Sequence, residues 1–189
     1  MRRIFIAIDI NNNKALTELL NSYKLILKDE RIRWVDHHNL HLTLAFLGDN
    51  DDRQVEEAGD IMSLVAGRFD PFEIVFNGTG VFRNIKQPRV IWLALKVPVV
   101  LYDIQALLSD KLEGAGLYKN EKPFKPHITL GRMKYIENRE LLSDILKQTE
   151  SHNLPPQPVN ELILYESILK PDGPQYRPLS KVPLQSSVS

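Results

Sequence analysis

The chain has 189 residues, of which 43% are hydrophobic and 25% charged, with 24 basic and 24 acidic side chains and no cysteine. This length predicts one domain with a sizeable buried core, and the missing cysteines exclude disulfides, thiolate metal sites and cysteine nucleophiles. Balanced charge argues against a nonspecific coat of nucleic acid, which needs clustered lysines and arginines, so any nucleic acid is expected to bind at one local site.

The first half of the chain alternates strand and helix patterns. Its opening apolar run ends at Asp9, too early for the apolar region of a signal peptide, and is typical of a strand. The predicted elements are, in order, a strand at 4–10 (IFIAIDI), a helix carrying Leu16, Leu19 and Leu20, a strand at 41–44 (HLTL), a helix patterned on Val55, Ala58, Met62 and Val65 with Asp51 or Asp52 as its cap, and a strand at 72–76.

The second half repeats this order. Its predicted elements are a strand at 91–97 (IWLALKV), a helix carrying Ile104, Leu107 and Leu108, a strand at 127–130 (HITL), a helix carrying Leu141, Leu142, Ile145 and Leu146 after Asn138, and a strand at 160–165. A proline-rich segment at 171–183 is expected to wrap around the fold, and residues 185–189 to form a frayed tail. No apolar stretch reaches the roughly 18 residues of a membrane span, and we expect a cytoplasmic protein.

Corresponding elements of the two halves lie 86 to 88 residues apart, which indicates an internal duplication. A unit that cannot close its own core should pack with its copy as two lobes around an approximate two-fold axis. We therefore expect a single domain over 1–189 of two interleaved lobes, with a first repeat at about 1–82, a second at about 88–170 and a terminal segment at 171–189. The predicted fold class is α+β, with mostly antiparallel sheets, helices outside and a cleft between the lobes.

The repeated motif presents one imidazole and one hydroxyl together. Side chains alternate between the faces of a strand, so His41 and Thr43 share one face, as do His127 and Thr129. One such pair is most often satisfied by neighbouring backbone. Both copies nevertheless keep the His and the Thr, although packing alone would accept Val or Leu at these positions. This indicates that the two copies need these residues for the same chemistry.

Two histidines and two hydroxyls around one cleft suit in-line displacement at phosphorus. One neutral imidazole can take a proton from the nucleophile while a protonated one gives a proton to the leaving oxygen, and the hydroxyls can donate to the non-bridging oxygens. A two-histidine metal site would need a third ligand, and no carboxylate shares either strand face. We expect neither metal nor cofactor.

At these residues the sequence resembles the two-histidine (2H) phosphoesterases, and within them the RNA 2′,3′-cyclic phosphodiesterases once described as 2′-5′ RNA ligases. The resemblance covers nearly the whole chain. Besides the two motifs it includes 3–9 (RIFIAID), 33–35 (RWV), 46–48 (FLG), 123–132 (PFKPHITLGR), 164–167 (LYES), Gly173, Tyr176 and Leu179. The family has a bilobal α+β fold with its catalytic cleft between the lobes, in agreement with the duplication.

The resemblance implies a role for each residue of the motifs. It makes His41 the general acid and His127 the general base, and it gives Thr43 and Thr129 the binding of the phosphate. Arg132 stands where the family commonly has a phosphate-contacting arginine.

Other polar and aromatic residues are assigned less directly. Phe46 lies on the base-binding side or in the core, and Tyr165 lines the cleft or is a core aromatic; both alternatives stay open. The sequence departs from the family at 36–38, an Asp followed by two histidines, which we expect to be exposed and without a role because sequence neighbours rarely converge on one ion. His152 is expected at the surface.

The predicted function is hydrolysis of RNA 2′,3′-cyclic phosphate ends to 2′-phosphate ends, with water as the nucleophile. The alternatives are 2′-5′ joining of RNA ends by the reverse reaction, and a non-catalytic nucleotide-binding module, against which the intact histidine pair argues. The expected partners are RNA 3′ ends or nucleotides with a cyclic phosphate, tRNA fragments among them. A monomer that binds no membrane is expected.

Overall fold

The computed structural model describes residues 1–10, 12–82, 87–119, 123–149, 154–171 and 173–185. Within these ranges the chain forms four α-helices and nine β-strands. The helices are α1 (Lys14–Ile26), α2 (Asp52–Ala66), α3 (Val99–Gly114) and α4 (Arg139–Thr149). The strands are β1 (Arg2–Asp9), β2 (Arg31–Trp34), β3 (His41–Asn50), β4 (Phe72–Phe82), β5 (Val90–Lys96), β6 (His127–Tyr135), β7 (Gln157–Val159), β8 (Glu161–Lys170) and β9 (Gly173–Pro183).

The strands form two antiparallel sheets, one in the order β3-β1-β8-β9 and the other in the order β2-β6-β5-β4-β7. With four helices packed against them, this architecture confirms the predicted α+β class. In the described part of the chain, no helix has both the length and the apolar character needed to cross a membrane.

The two halves of the chain exchange strands. β8 pairs with β1 in the first sheet, and β4 pairs with β5 in the second, so each half supplies a strand to the sheet built mainly by the other. Neither sheet is therefore complete without both halves. The repeat bounds at 1–82 and 88–170 stay a prediction.

Most apolar side chains form one core between the sheets and the helices. The inner face of β1 shows why: Ile4, Ile6 and Ile8 are buried in that core, whereas Phe5 and Ala7, at the alternate positions, belong to a second small cluster on the opposite face. The first sheet is thus covered by the core on one side and presents an aromatic surface on the other.

The structure selects Asp51 as the cap of α2. Its side chain accepts a hydrogen bond from Gln54 N at 2.9 Å, and Gln54 Oε1 accepts one from Asp51 N at 3.0 Å. This reciprocal pair satisfies two amide groups that a helix start otherwise leaves unpaired.

The C-terminal segment forms the edge strand β9, and its wrapping around the fold over 171–183 stays a prediction. β9 pairs with β8 along its whole length, and its prolines are tolerated because β9 is an edge strand with only one neighbour. The segment continues in order as far as Gln185, whose amide donates to Ala66 O at 3.3 Å, and Leu184 is buried. Residues 186–189 of the predicted tail, like His152, lie outside the described residues.

Candidate active site

A cleft of about 800 Å³ lies between the two sheets, where β3 and β6 contact each other. All five predicted site residues line it: His41, Thr43, His127, Thr129 and Arg132. The volume is that of a site for a small ligand. The residues that the duplicated motif singles out are therefore brought together, although their roles are not decided by position alone.

Both cleft histidines are held by the same local hydrogen bond. His41 Nδ1 lies 2.6 Å from Asn39 O, and His127 Nδ1 lies 2.7 Å from Lys125 O. A carbonyl oxygen can only accept, so each Nδ1 carries a proton and donates it. The other ring nitrogen, Nε2, is left in both rings as the atom that can take or give a proton in the cleft.

Aromatic rings pack against each histidine. The His41 ring contacts the Phe5 ring, at a centroid distance of 5.0 Å, and the edge-on ring of Tyr176, at 5.1 Å. On the other side of the cleft, Phe82 packs edge-on against His127 at 4.8 Å. These contacts restrict the orientation of both imidazoles.

The surroundings of His41 change its protonation. Burial lowers the pKa of His41, and the proximity of His127 and Arg132 lowers it further, while the Asn39 carbonyl and the Asp9 carboxylate raise it. In the free cleft the His41 imidazole is therefore neutral at neutral pH. An anion placed beside it would favour its protonated form.

Two matched β-bulges determine which side chains reach the cleft. On β3, Leu44 is an extra residue, since Ala7 pairs with Thr43 and the preceding residue of β1 pairs with Ala45. On β6, Leu130 is the extra residue between the partners of two consecutive residues of β5. Strict alternation would place a residue five positions after each histidine on the opposite face, but a bulge shifts the alternation by one. Phe46 and Arg132 thereby face the cleft at equivalent positions of the two halves.

Both tryptophans of the chain lie over a glycine on the neighbouring strand. Gly80 is the cross-strand partner of Trp92, and Gly131 that of Trp34. A Cβ added at Gly80 would lie 2.6 Å from Trp92 Cζ2, and one at Gly131 would lie 2.9 Å from Trp34 Cε3. The Trp92 ring in turn stacks on Phe82 at 5.3 Å, so this packing extends to His127.

The structure resolves the two open aromatic assignments. Phe46 is 48% exposed and lines the cleft, with the Arg3 guanidinium 5.3 Å from its ring centroid. Tyr165 does not line the cleft; it is buried in the small cluster around Phe5, on whose ring it stacks at 5.2 Å.

Three residues of the site were missed as functional candidates. Phe5 and Asp9 share the cleft face of β1, and Asp9 is the direct cross-strand partner of His41. The alternation of side chains along residues 5–9 could have identified both residues, because the strand that carries the first His-x-Thr motif was already predicted. Tyr176 carries no such local signal, since β9 reaches the cleft only through its pairing with β8.

The segment Asp36-His37-His38 lies closer to the site than expected. Asp36 Oδ1 accepts a hydrogen bond from His38 N at 2.9 Å and starts a 3₁₀ turn (His37–Asn39). This turn brings the two imidazoles to a centroid distance of 3.8 Å, tilted by 40°, and the potential ligand atoms of all three side chains lie within 4.8 Å of one another. The exposure of Asp36 and His38 is confirmed, but both line the cleft rim, and the convergence of the three side chains was not expected.

Comparison with known proteins agrees with this geometry. The family model for LigT-like phosphoesterases matches residues 8–92 and 96–176. An RNA 2′,3′-cyclic phosphodiesterase of Methanothermobacter thermautotrophicus is 31% identical over 176 residues, which cover 92% of this chain and 94% of the relative.

Two solved structures have the same fold, and each superposes on this chain over nearly the full length of both proteins. TT0787 of Thermus thermophilus superposes with a TM-score of 0.78 at 27% identity, covering 98% of this chain and 99% of the other. Escherichia coli LigT complexed with 3′-AMP superposes with a TM-score of 0.72 at 27% identity, covering 97% and 98%. Because the family model matches most of the residues and the fold agrees over nearly the full length, the chain belongs to the LigT-like phosphoesterase family.

Proposed function

We propose that the protein hydrolyses RNA 2′,3′-cyclic phosphate ends to 2′-phosphate ends by acid and base catalysis with two histidines and no metal. The observation that carries the proposal is the pair of Nδ1-anchored imidazoles, each beside a threonine, around one cleft. The name of the archaeal relative and the 3′-AMP bound by E. coli LigT support a ribonucleotide with phosphate at its 2′ and 3′ oxygens as the substrate class. The proposal extends to tRNA fragments as substrates and to a cytoplasmic monomer.

In the proposed reaction, His127 Nε2 takes a proton from water as the water oxygen attacks phosphorus. The bond from phosphorus to the 3′ oxygen breaks, and protonated His41 gives its Nε2 proton to that oxygen. The hydroxyls of Thr43 and Thr129 donate hydrogen bonds to the non-bridging oxygens, where negative charge accumulates, and Arg132 adds its positive charge there. The phosphate remains on the 2′ oxygen.

His41 must hold a proton for this role, yet its pKa is lowered in the free cleft. A phosphate anion bound between the two halves offsets the repulsion that Arg132 exerts on a protonated His41. Substrate binding therefore raises the pKa of His41 and supplies the acid when it is needed. This coupling makes protonation part of substrate recognition.

The test is turnover of a cyclic mononucleotide by the wild type and by the variants His41→Ala and His127→Ala. Each variant is expected to lower kcat by roughly 10²–10⁴-fold, because each removes one proton transfer. His37→Ala serves as the control, since His37 does not line the cleft. Wild-type turnover in either cleft variant would reject the mechanism, and no turnover by the wild type would reject the function.

A further inference from the structure

The cleft is far more basic than the chain as a whole. Among the described residues, four basic side chains line it, those of Lys24, Arg33, Arg132 and Lys170, against the carboxylate of Asp36 and, beside His41, that of Asp9. The complete chain balances 24 basic with 24 acidic residues. One arginine suffices for the phosphate at the histidines, so the other three cations need a separate account.

Two of the arginines are placed directly opposite each other. Arg33 on β2 is the cross-strand partner of Arg132 on β6, so both side chains leave the same face of the sheet. Like charges in this position destabilise a sheet. Arg33 Nη2 donates to Pro171 O at 3.4 Å, and among the described residues no carboxylate forms an ion pair with Arg33, Lys24 or Lys170. The arrangement is that of an anion site, in which a bound ligand provides the missing negative charge.

We propose that Arg33, together with Lys24 and Lys170, binds the phosphodiester on the 5′ side of the terminal nucleotide. This inference rests on the proposed function, which places the cyclic phosphate at the histidines and Arg132. β2 lies beyond β6 at the edge of the sheet, so Arg33 extends the positive surface outward from that phosphate. The preferred substrate is then an RNA strand of at least two nucleotides, since phosphate contacts outside the reacting centre fix the register of a bound nucleic acid.

The test compares three substrates that end in a 2′,3′-cyclic phosphate: a nucleoside with a free 5′-hydroxyl, the same nucleoside with a 5′-phosphate, and a dinucleotide. The dinucleotide is expected to exceed the 5′-hydroxyl nucleoside in kcat/KM by about tenfold, the effect of one charge-assisted contact. Arg33→Gln should reduce that ratio to about one, and Lys170→Gln should lower it in part. The salt dependence of KM for the dinucleotide should lose a slope of about 0.7 in the Arg33 variant.

The control is Arg53→Gln, which removes the same charge from an exposed position on α2, outside the cleft. It should leave the substrate ratio unchanged. Arg33 is exposed on an edge strand, and thermal denaturation of each variant verifies that it folds. A gain limited to the 5′-phosphorylated nucleoside, or a ratio that does not depend on Arg33, would overturn the RNA-backbone subsite. Turnover of the 5′-hydroxyl nucleoside by the wild type separates that result from a failure of the proposed function.

Discussion

A single methyl group at position 80 should weaken both the fold and the reaction. In Gly80→Ala the new Cβ would lie 2.6 Å from Trp92 Cζ2 and 3.0 Å from two further indole carbons. Carbon atoms in contact prefer about 3.5–4.0 Å, and the indole cannot simply withdraw because Phe82 stacks on it. Overpacking of this kind costs about 1–3 kcal/mol, which lowers Tm by about 2–12 °C in a chain of this size.

The same displacement reaches the candidate base. Trp92 stacks on Phe82, and Phe82 packs edge-on against His127. A shift of the indole therefore changes the position of the imidazole, and misplacement by about 1 Å can cost about 10²-fold in rate. We expect kcat to fall by roughly 10–100-fold.

Thermal denaturation and steady-state kinetics measure both effects, with Gly59→Ala as a matched control. A Cβ at Gly59, inside α2, would meet Ser180 Oγ at 3.9 Å and Leu164 Cδ2 at 4.0 Å, which are ordinary contacts. That substitution should raise stability by about 0.5–1 kcal/mol, because alanine favours a helix over glycine. In a Trp92→Phe background, which lacks the clashing carbons, the penalty of Gly80→Ala should shrink. An unchanged Tm and kcat in Gly80→Ala, or an equal penalty in the Phe background, would refute the packing argument.

Four further predictions concern the proposed chemistry. NMR titration of the His41 imidazole should give a pKa below the usual value of about 6.5 in the free protein and a higher one with bound phosphate; no rise would remove His41 as the acid. Because folding disfavours protonated His41, the free energy of unfolding should fall as the pH drops below about 6.5, and His41→Gln should lack that part of the fall. Turnover should persist after exhaustive chelation, and loss restored by a divalent cation would reject the metal-free scheme. Phosphorus NMR should identify a 2′-phosphate product, whereas a 3′-phosphate would exchange the roles of His41 and His127.

The duplicated motif carried most of what could be predicted from the sequence. Strand alternation placed His41 with Thr43 and His127 with Thr129, and the copy number indicated two halves around a cleft. The pairing of β1 with β8 was out of reach, because apolar periodicity identifies a strand and not its distant partner. Tyr176 and Lys170 reach the cleft only through that pairing.

For Arg132, strand alternation predicts the wrong face of the sheet. Alternation counted from His127 places it on the core side, and only the resemblance to a family assigned it to the site. The bulge at Leu130 reconciles the two, since one extra residue in the strand changes the face of everything that follows. A bulge of this kind leaves no clear mark in the sequence of residues 127–131.

The two bulges are matched, but the residues that they turn toward the cleft differ, which makes the cleft asymmetric. A site with true two-fold symmetry would accept a nucleotide equally well in two opposite poses, and in one of them the wrong ester oxygen would face the proton donor. At the equivalent bulged positions, one half carries the ring of Phe46 and the other the guanidinium of Arg132. Under the proposed function, a base would stack on the first and a phosphate would pair with the second, so that one pose would satisfy both ends. In the proposed reaction, the choice of the ester bond that breaks would then be set by two residues that transfer no proton.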